Sequence, residues 1–381
     1  QHGLGKNGPR SVVHGDLVCG PPTYTRAQLK KNREDLPKEL RTRTLDDDWY
    51  RGRSADWSKV DVPFLSAGNW GGQGLHPRGN IDGFVNAASQ EKWLEMHGRE
   101  HWTEFYTDYG LDLQKRFFGH FLKGEDTGWK KQPRVQLNIR HPGEQFVSRF
   151  EKEWPIKRTR WTKAYLDPGT GALATKAPAR KYKSTYAGLG DGVTFLTPTS
   201  DTAMEVTGPL AAKLFVSSET KDADLFLVVR LFAPDLKEVT FKGALDPHTP
   251  IAQGWLRASH RKLDASKSRR HKPHHTHDEE QPLKAGQVYE LDVEVWPTSI
   301  VVPPGYRLGL TVRGTDYVYP GGSGGRLSNM KNEFTGVGPF VHDGRDARVY
   351  GGNVTIHCGP NHPSHLLLPV IPPKSGGKKR S

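Results

Sequence analysis

Residues 62–98 of the 381-residue chain, VPFLSAGNWGGQGLHPRGNIDGFVNAASQEKWLEMHG, carry the pattern that decides the fold. The run 62–68 is apolar and ends in small residues, which is typical of a buried strand that opens into a loop. A helix is predicted next, because four apolar residues follow the spacing of one buried face: Ile81, Phe84, Val85 and Ala88. Residues 92–96 predict a second strand, which ends at His97-Gly98. This order of strand, loop, helix and strand indicates parallel α/β layers.

The pattern changes on both sides of this stretch. A second amphipathic helix follows it, with Leu113, Phe117, Phe118 and Phe121 on one face and an end at Lys123-Gly124. From about Arg134 the chain becomes all-β: residues 288–295 alternate acidic and apolar side chains, and residues 225–232 are almost continuously apolar. Many short strands separated by Gly/Pro turns predict a β-sandwich or jelly roll. Residues 1–60 are polar and turn-rich, with a helix-like stretch at 26–34.

Charge and composition limit the classes of partner and location. The formal net charge is +13, but part of the excess lies in loop-like or terminal segments at 30–33, 261–272 and 378–380. With no zinc-finger, RNA-recognition or helix-turn-helix pattern beside it, a solvated face is the better interpretation than a nucleic-acid interface. No apolar run approaches the ~18 residues that span a bilayer. Two cysteines, Cys19 and Cys358, argue against a disulfide-stapled secreted fold and favour a cytoplasmic location.

His97 is the candidate catalytic residue. In open α/β sheets functional groups lie in loops just past the carboxyl ends of strands, and in a hydrolase of this architecture the triad histidine comes from the last such loop. His97 follows the second predicted strand and fits that place. An imidazole there can take a proton from a serine hydroxyl and return it to the leaving group. The alternative is a histidine that is simply hydrogen-bonded at a strand end.

Several segments in order resemble the cocaine esterase / X-Pro dipeptidyl-peptidase family of serine hydrolases. They are LDDDWYRGRSADWSKVDVP, VPFLSAGNWGGQGLHPRGNIDGF, KWLEMHGREHWTEFYTDYG, TAMEVTGPLAAKLFVSS, GWLRASHRKLD, PLKAGQVYELDVEVWPTSIVVPPGYRLGL and HPSHLLLPVIP. The resemblance implies a remnant of a helical cap at 1–60, the C-terminal part of an α/β-hydrolase domain at 61–133 and a jelly-roll β-sandwich at 134–381. It also implies that His97 is the general base of a Ser-His-acid triad.

The chain departs from the family pattern in two places. The family's nucleophile lies on a Gly-x-Ser-x-Gly elbow upstream of the cap, whereas here Gly322-Ser323-Gly325 belongs to a glycine-rich loop without a strand-turn-helix context. Many members carry the triad Asp where this chain has Gly72, so Asp82 is the substitute candidate. His101, a second imidazole, is more readily explained as structural. The chain begins at Gln1 and its first methionine is Met96, so we expect a processed or truncated protein whose Ser lies upstream.

Other clusters carry weaker expectations. His271, His274, His275 and His277 could bind a metal ion, but Pro273 and the surrounding charges favour an exposed loop, so no metal or cofactor is predicted. A series of aromatic residues could line an acyl pocket or pack the core, and core packing is favoured: Trp93, Trp102, Phe105, Tyr106 and Tyr109. No histidine is spaced to activate Cys19 or Cys358 as a nucleophile.

Two hypotheses of function remain. In the first, the chain is the C-terminal portion of a hydrolase that cleaves a peptide or small ester substrate, inactive alone because it lacks the nucleophile and depends on a missing N-terminal α/β-hydrolase segment. In the second, it is a degenerate, non-catalytic member whose jelly roll binds a ligand or partner. A homo-oligomer stays open in both.

Overall fold

The computed structural model describes residues 10–11, 15–16, 24–100, 102–244, 246–321, 338–340, 342 and 344–373. The chain divides into two compact units, residues 1–53 and 54–381, which we describe separately. Within the described ranges, no helix combines enough length with enough apolar residues to cross a bilayer.

The first unit contains three short helices: α1 (Arg26–Lys31), α2 (Leu36–Thr42) and α3 (Asp48–Arg51). Thr25 and Gln28 form a capping box at the start of α1, so the side chains satisfy amide groups that the helix leaves free. The helix ends at Lys31, three residues before the end predicted from the sequence. None of the three helices has a buried residue, so this unit has little core of its own.

The second unit begins with a four-stranded sheet in the order β1-β2-β3-β4. Its strands are β1 (Phe64–Asn69), β2 (Lys92–His97), β3 (Val135–His141) and β4 (Gln145–Glu151), and the helices beside it are α4 (Pro77–Asn86) and α5 (Asp108–Lys123). The first three strands are parallel and β4 is antiparallel to β3. The predicted strands and helices of the α/β pattern are therefore confirmed, including the α5 end, where Gly124 adopts a left-handed conformation with φ of 70°.

Both faces of the small sheet are covered, which explains the nearly continuous burial of β2. On one face, Trp93 packs with Leu113 and Phe117 of α5 and with Trp129. On the opposite face, a second cluster includes Leu94 and Met96 of β2 and Ile81 and Phe84 of α4. The predicted helix faces were partly wrong, because Val85 is 46% exposed and Phe118 is 50% exposed.

The remaining strands form a 12-stranded sheet. They are β5 (Arg160–Asp167), β6 (Ala172–Ala174), β7 (Tyr182–Ala187), β8 (Val193–Leu196), β9 (Met204–Ser218), β10 (Asp224–Phe232), β11 (Glu238–Val239), β12 (Ala252–Arg257), β13 (Tyr289–Val302), β14 (Arg307–Arg313), β15 (Asn353–Cys358) and β16 (His365–Ile371). One further helix, α6 (Ala347–Tyr350), precedes β15, and short 3-10 helices lie at Trp57–Lys59, Glu104–Tyr106, Trp129–Lys131 and Ala258–His260.

The large sheet closes on itself, because β9 pairs with β13 on one side and with β16 on the other. From β13 the order runs through β12, β10, β14, β8, β6 and β5 back to β16, while β15 and β7 extend from the end of β9. The closed sheet surrounds a large apolar core that includes Leu166, Leu210, Val229, Val293 and Leu310. The β-rich part predicted from the sequence is confirmed, and its strands form one closed sheet.

The small and large sheets contact each other closely. Added to Gly71, a Cβ atom would lie 2.3 Å from the Cα of Gly243, so two backbones meet there without room for a side chain. The guanidinium of Arg140, on β3, donates to the backbone oxygens of Ser299 and Ile251. Because β3 pairs with β2 and β4 pairs with β3, the small sheet continues to Glu151.

Candidate functional site

The carboxyl ends of β1 and β2 lie side by side, because the two strands are parallel and in a register that places Asn69 opposite His97. The backbone N–H of Trp70 donates to the carbonyl oxygen of His97 at 2.8 Å. The side-chain amide of Asn69 donates to the carbonyl oxygens of Gly98, at 3.2 Å, and Arg99. These bonds fix the start of the loop after β2, so the two strand-end loops predicted from the sequence do meet at one edge.

His97 is held by a carboxylate that the sequence analysis did not identify. Its Nδ1–H donates to Oε2 of Glu95 at 2.7 Å, and both side chains are buried. Alternate residues of a strand point to the same face, so the pair follows from their separation by two positions on β2. An imidazole whose Nδ1 is bonded to a carboxylate presents Nε2 as its second nitrogen, which is the arrangement of a triad histidine.

A second layer of hydrogen bonds supports Glu95. The hydroxyl of Tyr109, on α5, lies 3.5 Å from Oε1 of Glu95 and accepts a hydrogen bond of 2.5 Å from Nε2 of Gln136. Burial, followed by the charges of Glu95 and Glu104, raises the pKa of Tyr109. The phenol therefore stays protonated at neutral pH and can donate towards the carboxylate.

The environment of His97 acts on its protonation in two opposing ways. Burial by itself lowers the pKa of the imidazole, but the charge and hydrogen bond of Glu95 outweigh it, so the pKa of His97 is raised. Its Nε2 is buried and has no hydrogen-bond partner among the described residues. A buried polar atom without a partner lowers the free energy of unfolding by about 1–3 kcal/mol. A group that formed a hydrogen bond with this nitrogen would remove that penalty.

A cavity of about 320 Å³ adjoins the pair and lies between the small sheet and α5. Glu95 and His97 supply polar groups to its lining, and most of the remaining lining is apolar, including Phe64, Leu113 and Phe117. An apolar cavity with a few convergent polar groups is the usual form of a small-molecule site. Of the aromatic series singled out in the sequence, Phe105 and Tyr109 also line this cavity, whereas Trp93 is a core residue.

Asp82 is not the partner of His97, which corrects the sequence-based prediction. Its carboxylate forms an ion pair with Lys272 and lies 3.9 Å from Arg78. Asp82 lies on α4, after the loop, and its side chain faces the segment that carries Lys272. Glu95 is the carboxylate that bonds to His97, and its signal in the sequence was an acidic residue two positions before the histidine in a buried strand.

Among the residues that the structure describes, the remaining sequence candidates do not form a site. His101, Ser323 and Cys19 lie outside the described residues. Burial raises the pKa of the Cys358 thiol to about 12, so it is a poor nucleophile. In the part of the chain that the structure describes, no group of three or more His, Cys, Asp or Glu side chains is arranged to hold a metal ion. His271, from the histidine-rich segment, instead stacks on Trp161 with ring centroids 4.4 Å apart.

Comparison with known proteins identifies the family. Residues 127–367 match the X-Pro dipeptidyl-peptidase C-terminal non-catalytic domain, so the chain belongs to that family. The family resemblance found in the sequence is thus confirmed.

Individual relatives agree with this assignment. Cocaine esterase from Rhodococcus sp. is 24% identical over 297 residues, which are 68% of this chain and 45% of the esterase. A putative Xaa-Pro dipeptidyl-peptidase from Streptomyces avermitilis is 25% identical over 288 residues, 61% of this chain and 39% of the relative. A crystal structure of a CocE/NonD family hydrolase from Staphylococcus aureus superposes with a TM-score of 0.81 at 29% identity, covering 91% of this chain and 61% of that one. The chain spans less than half the length of the two curated relatives.

Proposed function

We propose that this chain is the C-terminal portion of a serine hydrolase that cleaves an ester or amide bond in a small ester or peptide substrate. His97 is the general base, Glu95 is the acid of the triad, and the serine nucleophile belongs to polypeptide upstream of Gln1. In this proposal the small sheet is the end of an α/β-hydrolase domain and the large closed sheet is the jelly roll. The observation that carries the proposal is the Glu95–His97 hydrogen bond of 2.7 Å beside a cavity.

The chemistry follows from the two nitrogens of His97. Nε2 would take the proton of the serine hydroxyl as the oxygen attacks the carbonyl carbon, and would return it to the leaving group. The carboxylate of Glu95 holds Nδ1–H and stabilises the imidazolium that forms in between. The unpartnered state of Nε2 supports this role, because the missing hydroxyl is the group that would bond to it.

The edge of the small sheet supports a partner segment. β1 pairs with β2 along one edge, and none of the described residues pairs with its other edge. Beside it, α5 exposes a row of large apolar side chains: Leu111, Phe118 and Leu122 are 39%, 50% and 76% exposed. An open parallel edge next to an apolar surface is uncommon in a finished α/β layer. We therefore propose that the missing N-terminal α/β-hydrolase segment docks there.

The test uses the chain together with the polypeptide encoded directly upstream. His97→Gln is expected to lower kcat by about 10³-fold or more, and Glu95→Gln by roughly 10²–10⁴-fold, because loss of the orienting carboxylate leaves the wrong tautomer. His101→Gln is the matched control, since it removes an imidazole four positions further along the sequence, and should retain activity. Full activity in His97→Gln, or loss in His101→Gln alone, would contradict the assignment of the base to His97.

A second candidate function is a non-catalytic, ligand-binding role. It is favoured by the burial of Nε2 of His97, which leaves the nitrogen no accessible surface in this structure. An upstream reading frame that encodes no Gly-x-Ser-x-Gly elbow after a strand would favour this function, whereas an intact elbow favours the hydrolase.

A further inference from the structure

A groove of about 520 Å³ lies on the outer face of the large sheet, apart from the His97 site. The strand registers place Trp161 opposite Pro369, and Lys163 opposite Leu367, which in turn lies opposite Ala211. Residues two apart on a strand share a face, so the side chains of β5, β16 and β9 form one surface here. Ala211 leaves space at the floor of the groove that a larger side chain would fill.

The segment 263–273 covers this surface from outside. Its own fold is fixed by two backbone bridges, one between Leu263 and His275 and one between Arg269 and Lys272. Nη1 of Arg269 donates to the backbone oxygens of Ser266 and Ser268, at 3.0 and 2.8 Å, which holds this guanidinium on the tight turn. Arg269 and Arg270 of this segment line the groove opposite the strands.

The lining of the groove is strongly cationic. It contains four basic side chains, Lys163, Lys213, Arg269 and Arg270, and a single carboxylate, that of Asp292. Asp292 is already paired with Lys213 at 3.0 Å. Among the described residues, Lys163, Arg269 and Arg270 form no ion pair. Three positive charges around one concave space without counter-charges attract an anion.

An aromatic ring forms part of the same lining. One side of the Trp161 indole is stacked against His271, with the ring planes 10° apart. The guanidinium carbon of Arg270 lies 5.3 Å from the centroid of the Trp161 ring. Burial, with the charges of Arg270 and Lys272, lowers the pKa of His271 to about 4, so the stacked imidazole is neutral at pH 7. The stacked imidazole of His271 therefore holds the Trp161 indole in place beside the cationic side chains.

We propose that this groove is a binding site for a small organic anion, in which the arginines and lysines bind a phosphate or carboxylate group and Trp161 packs against an adjoining ring. Guanidinium groups bind both kinds of oxyanion through paired N–H donors, and aromatic side chains stack on flat ligands. The volume of the groove lies in the range of small-molecule sites. This site is independent of the hydrolase proposal, since none of its residues lines the His97 cavity.

The experiment measures binding to the whole chain by calorimetry with three probes: phenyl phosphate, benzoate and the neutral benzyl alcohol. Saturable binding of at least one anion and none of benzyl alcohol is expected, and the comparison of the two anions shows which oxyanion the site prefers. Raising the salt from about 0.1 M to 1 M, which shortens the Debye length from ~10 Å to ~3 Å, should weaken binding by about tenfold. No saturable anion binding, or equal binding of benzyl alcohol, would overturn the proposal.

Variants locate the binding in the groove. The double variant Arg269→Gln/Arg270→Gln should weaken anion binding by about tenfold or more, because charge-assisted hydrogen bonds are lost. Trp161→Ala should weaken phenyl phosphate more than inorganic phosphate. Lys267→Gln is the matched control: it removes a positive charge from the same segment, but Lys267 is paired with Asp264 and does not line the groove. If the control and the double variant lose equal affinity for the anion, the binding depends only on the net charge of the protein, and the proposed site is rejected.

Discussion

The guanidinium of Arg140 on β3 donates from Nε to the backbone oxygen of Ser299 on β13 at 2.8 Å, and so joins the two sheets. Nη2 of the same group donates to the carbonyl oxygen of Ile251 at 2.8 Å and to the hydroxyl of Thr298 at 2.6 Å. Arg140 is 1% exposed. Three acceptors of the large sheet therefore depend on one buried side chain of the small sheet.

Replacing Arg140 with Met should destabilise residues 54–381 strongly. The methionine fills a similar volume but removes the donor to Ser299 and to the hydroxyl oxygen of Thr298, whereas the carbonyl oxygen of Ile251 keeps the Thr298 hydroxyl as a donor. The expected loss is about 1–3 kcal/mol for each buried acceptor that loses its partner. Urea unfolding followed by tryptophan fluorescence measures it. Arg160→Met is the control, because Arg160 is an exposed arginine on β5, and it should change stability by less than about 0.5 kcal/mol. Similar losses in both variants would show that Arg140 does not join the sheets as described.

The Glu95–His97 pair should make stability depend on pH. The pKa of His97 is raised in the fold, so the protonated pair stabilises the protein below the unfolded value of about 6.5. That contribution is lost as the pH rises through the folded pKa. We expect the parent protein to lose stability in urea as the pH rises above about 6.5, and Glu95→Gln to lose less over the same interval. An equal pH dependence of the two proteins would show that the pair is not charged.

His271 should contribute the opposite dependence on the acid side. Its pKa is lowered to about 4, so between about pH 6.5 and pH 4 the imidazole is protonated in the unfolded chain and neutral in the folded chain. The contribution to stability is present above about pH 6.5 and is lost as the pH falls towards 4. His271→Phe keeps a ring against Trp161 but cannot titrate, so its loss of stability between pH 6.5 and pH 4 should be smaller than that of the parent. The two proteins should be similar at pH 8, which serves as the control.

The apolar surface of α5 should govern the behaviour of the chain in solution. Phe118→Glu/Leu122→Glu places charges on two side chains that are 50% and 76% exposed, so it should raise the solubility of the isolated chain at little cost in stability. Light scattering at increasing protein concentration measures the change. Leu236→Glu, at a position 57% exposed in the large-sheet region, is the control and should have little effect. An equal gain of solubility in the control would show that the apolar surface of α5 does not govern association of the chain.

The isolated chain should lack serine-hydrolase activity. Because the proposal assigns the serine to polypeptide upstream of Gln1, turnover of p-nitrophenyl acetate should not exceed the rate expected of free imidazole and should not respond to a fluorophosphonate. Rapid turnover that a fluorophosphonate abolishes would place a reactive serine within these residues and contradict the proposal.

The sequence predicted local structure well where each segment carried its own signal. The apolar run before Gly68, the strand before His97 and the left-handed Gly124 were all recognisable from neighbouring residues. Val85 and Phe118 were placed on the wrong faces, because helical spacing shows which side chains align but not how wide the covered face is. The position of β3 in the small sheet depends on its pairing with β2, and that of β4 on its pairing with β3, which periodicity alone does not reveal.

The candidate site was predicted in part. His97 was found because strand-end loops concentrate functional groups, whereas Glu95 was missed because it lies inside the strand, where an acidic residue was counted as part of a buried run. Asp82 was chosen for its closeness in the chain to the loop. The ion pair with Lys272 joins residues 190 positions apart, and no local pattern announces such a contact.

The closure of the large sheet has a consequence for biosynthesis. β9 and β5 are joined through β16, whose residues His365–Ile371 are synthesised about 150 positions after the end of β9. Until then the edge of β9 that receives β16 is without its neighbour, and nascent strands with unpaired edges invite association between chains. A chain that stops before residue 365 therefore keeps this edge of β9 unpaired, because the strand that covers it has not been made.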